Sequence, residues 1–287
     1  MSILRGATRN RATPRLCGLQ ILALLVSTTA SFGSPPKNIP SWVHNLSSPE
    51  PGPFKPASHP PLSGFNFGWA FLHAGTGTAK ISVSSGNQIQ MEATAHTEGA
   101  VRSLFRIDAH FHCLASARSL RPVEARQTEA YADESLETVL HFDPYGVVRR
   151  RSSVPVPKKG TGKPKRFAFT PLFEPFTAYL WLRSQPNRPG DTHQLVIYAG
   201  ADPFLLRASV QPREHVLVGS ALTPAIRINL EFSALDRSLQ TAPYRKCKSA
   251  SLWISDSTAR RLLRAEADIF IGKIWLQLQP PPVKGPP

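Results

Sequence analysis

Lys80-Ile81-Ser82-Val83, then Gly86-Asn87, then Gln88-Ile89-Gln90-Met91: this stretch decides the fold. Apolar and polar residues alternate on both sides of a dipeptide that favours a turn. Residues two apart share one face of a strand. Each run therefore predicts a strand with one face buried and one wet, and Gly86-Asn87 predicts the hairpin between them. The alternation extends over 76–83 and 87–95.

Working outward, the same pattern predicts strands at 101–113, 119–131, 135–143, 146–151, 165–170, 193–199, 204–211, 214–219, 225–233, 249–255, 261–268 and 271–278. Asp143-Pro144-Tyr145-Gly146, Pro189-Gly190-Asp191 and Ser255-Asp256-Ser257 supply turn residues between them. A helix is expected over Glu174 to Arg183, where Pro171 and Pro175 suit the first turn and Phe176, Tyr179, Leu180 and Leu182 make an apolar side. One helix among many antiparallel strands excludes βαβ architecture. The expected fold is mainly β: a large curled antiparallel sheet or open half-barrel with one helix at about 174–183. Curling hides sheet edges and gathers Ile81, Val83, Ile89, Met91, Leu104 and Ile107, or their alternates, around a common interior.

The flanks set the organisation. Arg5, Arg9, Arg11 and Arg15 precede the apolar run Leu19 to Val26, and small residues follow at Ser27-Thr28-Thr29-Ala30. That order is expected of a cleaved signal peptide over 1–33, hence of an exported, periplasmic or envelope-associated protein. The apolar run is too short for a membrane anchor, so no transmembrane anchor is expected after cleavage. Residues 34–66 read as a linker. Pro35, Pro36, Pro40, Pro49, Pro51, Pro53, Pro56, Pro60 and Pro61 crowd it, and proline-rich chain stays extended and packs little. A single β-rich domain is expected over 67–279, and 280–287 is a second proline-rich tail.

Net charge is +15, or +11 without the leader. A basic exported protein can meet anionic lipid or wall polymers; the charge is spread along the chain, and no nucleic-acid partner is expected. Cys17 precedes the apolar core of the leader, which makes it a poor lipidation site. Cys113 and Cys247 could bridge in an oxidising compartment if they approach closely enough.

Several stretches, taken in order, resemble one bacterial family. They are Phe67 to Gly75, Thr97-Glu98-Gly99, Ser103 to Asp108, Ser119-Leu120-Arg121-Pro122, Ala178 to Arg183 and Pro189-Gly190-Asp191. The clearest is Leu252-Trp253-Ile254-Ser255-Asp256 followed by Arg261, closing on Ile271-Gly272-Lys273-Ile274. Together these are similar to the domain-of-unknown-function 3108 family over 67–278. The resemblance implies an exported, β-rich protein and supplies no activity or catalytic residues. The chain departs from the family pattern at Ser257, where a second Asp is usual, and at Leu263, where Pro is usual.

Three motifs carry candidate chemistry. Asp108, His110 and His112 share a strand face, with Ile107, Ala109, Phe111 and Cys113 on the other; two imidazoles and a carboxylate bind zinc if a fourth ligand arrives. The plainer reading is a wet strand face. Lys158, Lys159, Lys163, Lys165 and Arg166 lie in a basic loop that could contact an anionic ligand. Its glycine spacing is wrong for a P-loop, and Pro164 stands where Ser or Thr would bind magnesium. Ser255-Asp256 lacks the surroundings of a nucleophile elbow, and Asp256 reads as a turn residue capping local backbone donors. The five tryptophans read as core or rim residues. No cofactor is implied.

These readings leave a non-enzymatic envelope protein holding a lipid or other apolar ligand. The alternative is a structural adaptor contacting anionic envelope polymers through a basic surface. Third comes a metal-assisted hydrolase around His110 and His112. The lipid reading rests on fold-level analogy; a large apolar cavity would favour it. Oligomeric state has no signal in the sequence.

Overall fold

The computed structural model describes residues 40–55, 62–84, 86–144, 146–154, 160–161, 165–166, 171–200, 202–236, 238–245, 247–269 and 272–280. The strands, in chain order, are β1 (Ser63–Trp69), β2 (Leu72–Ser84), β3 (Gln88–Thr97), β4 (Asp108–Ser116), β5 (Pro122–Ala130), β6 (Ser135–Asp143), β7 (Gly146–Val154), β8 (Gly160–Thr161) and β9 (Lys165–Arg166). They continue as β10 (Leu172–Phe173), β11 (Thr192–Tyr198), β12 (Pro203–Val218), β13 (Ala221–Leu235), β14 (Thr241–Pro243), β15 (Cys247–Ser255), β16 (Leu262–Ile269) and β17 (Gly272–Leu278). A short helix, α1 (Gly99–Leu104), and a longer one, α2 (Pro175–Ser184), interrupt them.

All these strands belong to one sheet. Two antiparallel meanders build it. One runs from β2 to β7; the other runs β11, β12, β13, β15, β16, β17. β1 joins them, pairing antiparallel with β17 on one side and β2 on the other. The only parallel pair among the described residues is β10 with β11. The result is a nearly closed barrel with one unsealed seam, between the β6–β7 edge and the β11 edge. At that seam the Arg149 guanidinium donates to the Gly200 carbonyl. Gly200, at φ +101°, lies where an added Cβ would touch Thr138 and Leu140.

α2 crosses the seam. Phe176 and Leu180 pack with Phe111, Cys113, Leu140 and Val147 of the first meander. Ala178, Trp181 and Leu182 pack with Leu195, Ile197, Phe204 and Ile226 of the second. Such a helix, apolar on several sides, belongs in an interior. Pro175 occupies its first turn, and Glu174 caps it: the Glu174 carboxylate accepts from Phe176 N–H and Thr177 N–H, while Thr177 Oγ1 accepts from Glu174 N–H. Both ends of the expected helix are placed within a residue.

Local chemistry explains the turns and one irregularity. Asn87 takes φ +55° in the β2–β3 hairpin and Gly219 takes φ +61° in the β12–β13 hairpin, conformations that Gly and Asn tolerate. Runs 204–211 and 214–219 form one long strand, β12. Its register shifts between Val210 and Arg213, where Pro212 has no N–H to give to a ladder.

Three readings are corrected. The strand expected over 101–113 is split: 99–104 is helical, and Leu104 is 76% exposed. Val83 shares the inward face with its partner Ile89 but is 40% exposed, near the end of β2 where the hairpin begins. Within the proline-rich segment, residues 40–55 pack against the barrel. Trp42 Nε1 donates to Leu239 O at 2.8 Å, Ser47 N–H donates to Gln194 O at 2.9 Å, and Trp181 Nε1 donates to Glu50 O at 3.2 Å. A buried indole and these bonds hold a stretch whose composition alone argues for free chain.

Candidate functional site

The barrel is hollow. A cavity of about 360 Å³ lies between the two meanders and α2, walled mainly by Phe, Leu, Ile, Met and Ala side chains. The strand registers explain the void. Ala79 faces Ala93 and Gly77 faces Ala95 on β2–β3; Ala250 faces Ala267 and Leu252 faces Ala265 on β15–β16. Pairs of leucine or isoleucine at such positions would meet in the middle. Interiors are otherwise packed to crystal density, so a void of this size, inside the usual ligand-pocket range of roughly 300–1,000 Å³, is the prominent feature of the interior.

The cavity is not uniform. Tyr179 and Arg183 of α2 line one part of it, together with Arg261, which precedes β16. Arg183 is 8% exposed. Its guanidinium donates to Ala259 O at 2.5 Å and lies 5.9 Å from the Tyr179 ring centre. Burial pushes the Tyr179 hydroxyl pKa up, against the pull of Arg183, the Leu262 backbone and Arg261. Glu266, the acid on the cavity wall, is paired with Arg264 and Lys273.

At the other end of α2, Glu174 is buried, and Cys113 Sγ donates to its carboxylate at 3.3 Å. Burial pushes the Glu174 carboxyl up to about 7, against the hydrogen bonds from Phe176, Cys113 and Thr177. Burial and the neighbouring carboxylate push the Cys113 thiol well up. A thiol so protonated is a poor nucleophile. Cys113 and Cys247 are both free and buried, in separate packing clusters.

Asp108, His110 and His112 share a face, opposite the buried Ala109, Phe111 and Cys113. Asp108 is already engaged. Arg102 donates two 2.9 Å hydrogen bonds to it and Arg106 lies 3.6 Å away, and the Arg102 bonds hold its carboxyl below the ordinary range. Among the described residues, no group of three or more His, Cys, Asp or Glu is arranged to hold a metal, and no nucleophile–base–orienter set is assembled. Of the basic loop, Lys158, Lys159 and Lys163 lie outside the described residues. The backbone of Lys165 and Arg166 pairs with Val147 and Gly146. Asp256 does not cap local donors as read from the sequence: its carboxylate pairs with Arg213 at 2.9 Å and Arg260 at 3.8 Å. Of the tryptophans, Trp42, Trp181 and Trp253 are buried and Trp69, at the end of β1, is 41% exposed.

In the sequence Arg183 and Arg261 stand out only as parts of the family resemblance, with no role attached, and the Glu174–Cys113 contact has no signal there. A helix-terminal Arg reads as a solvated charge, and no local pattern reports the burial that changes its meaning.

Comparison with known proteins extends the picture. Among solved structures, the chain is similar to the crystal structure of a β-barrel-like protein of domain of unknown function DUF1849 from Brucella abortus. The TM-score is 0.52 at 10% identity, covering 77% of this chain and 96% of that one. This likeness is one of fold. A search of curated protein sequences gave no match. No helix among the described residues is long and apolar enough to cross a membrane. The family model described as "Protein of unknown function (DUF3108)" matches residues 65–279, and the chain belongs to the DUF3108 family.

Proposed function

We propose that the barrel binds an apolar ligand, such as an acyl chain, without performing chemistry on it. The cavity carries this reading: about 360 Å³ of space walled by apolar side chains that small residues hold apart. The apolar part of such a void favours apolar guests over water. The Arg-rich start of the chain and the apolar run after it support a place outside the cytoplasm for this binding.

Native mass spectrometry of the protein purified from its own envelope tests both statements together. The expected result is a co-purifying apolar molecule on a chain whose mass begins between about residues 28 and 36, by the small-residue rule for cleavage. A second measurement uses the neutral fluorophore N-phenyl-1-naphthylamine. It should bind the delipidated protein and lose binding in Ala93→Leu with Ala267→Leu, a cavity-filling pair expected to keep or raise Tm. A bare protein that leaves the fluorophore dark would return the interior to a purely structural role and favour the adaptor reading.

A further inference from the structure

Two cations face the cavity with no acid to meet them. Arg183 is buried, lines the cavity, and makes one hydrogen bond, to Ala259 O. Arg261 lines it too, yet is exposed, so the cavity reaches water beside it. Among the described residues neither guanidinium has a carboxylate within ion-pair distance, and Glu266 on the same wall is held by Arg264 and Lys273. A guanidinium does not shed its proton in a protein, and burying an unmatched charge is costly. Its planar fork matches carboxylate and phosphate oxygens.

We propose that the ligand is an anionic amphiphile: an alkyl chain in the apolar interior, with a carboxylate or phosphate head held by Arg183 and Arg261 beside Tyr179. This rests on the apolar-ligand reading above and adds the head group. The arrangement matches the molecule's two halves. The chain meets Ala93, Ala265 and Phe111 in the apolar region, and the head stays where Arg261 is in contact with water.

The test is displacement of N-phenyl-1-naphthylamine from delipidated full-length protein by dodecanoate, dodecyl phosphate and dodecanol, which share one chain. Charged hydrogen bonds predict that at least one anionic competitor binds about tenfold to a hundredfold more tightly than dodecanol. The better of the two identifies the head group. Arg261→Gln, at an exposed position, should remove most of that preference, weakening the anionic competitors far more than dodecanol. Arg183→Met should remove it as well, and Arg183→Lys should restore part of it. Equal affinities for all three competitors, unmoved by Arg261→Gln, would overturn the head-group proposal and leave apolar binding intact. Absence of fluorophore binding to the wild-type protein would overturn both. If Arg183→Met fails to fold, the Arg261→Gln result decides.

Discussion

At the N-terminal end of α2 a carboxylate, Glu174, is buried with no cation paired to it among the described residues; at the C-terminal end a guanidinium, Arg183, is buried with no anion. Each charge suits its end of the helix dipole. Their ways of avoiding an unmatched charge differ. Glu174 can take up a proton, and its carboxyl is accordingly pushed up to about 7. Arginine has no such option. One end is chemically self-sufficient, sealed by Cys113, Phe176 and Thr177. The other is complete only when something negative arrives. Within one helix, the two ends show how a fold can bury a charge for its own stability or for a ligand.

The largest effect that can break this contrast is the pH dependence of folding. The groups facing Glu174 are Cys113 on β4 and the backbone donors of Phe176 and Thr177; His112 and Arg126 lie on the opposite face of the sheet, where Arg126 pairs with Glu124 and Glu137. Its folded pKa of about 7 lies above the ordinary 4.5, so the unfolded chain releases this proton first as pH rises. The stability linked to Glu174 is fully present below about 4.5 and is lost as pH rises through about 7. At roughly 1.4 kcal/mol per unit, the loss is about 3 kcal/mol. Asp108 and Glu98, held low by Arg102 and by Thr76 with the histidines, act in the opposite direction in acid. Urea unfolding at several pH values, wild type against Glu174→Gln, isolates the term: the wild type should weaken between pH 4.5 and 7 relative to the variant. Parallel profiles would show that Glu174 is ionised in the fold.

A second, smaller effect concerns the cap itself. Glu174→Ala removes the acceptor of two backbone N–H groups at the start of α2 and leaves a void beside Cys113. Loss of a cap plus unsatisfied buried donors is worth about 2 kcal/mol. Measured in urea at pH 5, where the wild-type carboxyl is protonated, the loss should be plain, and Glu174→Gln should retain most of the stability. Equal loss in both would assign the effect to shape rather than to the hydrogen bonds.

The two ends of α2 also differ in how far they could be read in the sequence. Period-two alternation at 80–91 located the hairpin, and Glu174 to Arg183 located the helix, because both signals are local. The joining of β17 to β2 through β1 has no local signal; it pairs residues about two hundred positions apart. The short helix α1 was read as strand because Val101, Leu104 and Ile107 continue an apolar run that does not reveal Gly99 at φ +54°. Asp108 was placed on the correct face, but Arg102 from α1 had already claimed it. The cavity was hidden for a subtler reason. Alanines at inward positions look like core, and only the register that sets Ala79 against Ala93 and Ala250 against Ala267 turns them into space.

The smallest effect is also the most specific to the contrast. If Arg183 is kept for a ligand, the empty protein should not need its charge. Replacing a buried charge with an apolar side chain of similar length is often neutral or stabilising. Arg183→Met forfeits one hydrogen bond to Ala259 O and the contact with the Tyr179 ring, which together offset part of that gain. The delipidated variant should therefore be as stable as wild type or more stable by up to about 1 kcal/mol in urea unfolding. Glu174 gives the matching control, since its removal weakens the fold at pH 5 whether or not ligand is present. A loss of about 2 kcal/mol or more for Arg183→Met would make the guanidinium a structural group like Glu174, and the asymmetry between the two ends of α2 would disappear. Equal or greater stability would be the sign of a residue held at a cost to the empty barrel, a trade expected where function and stability compete for the same position.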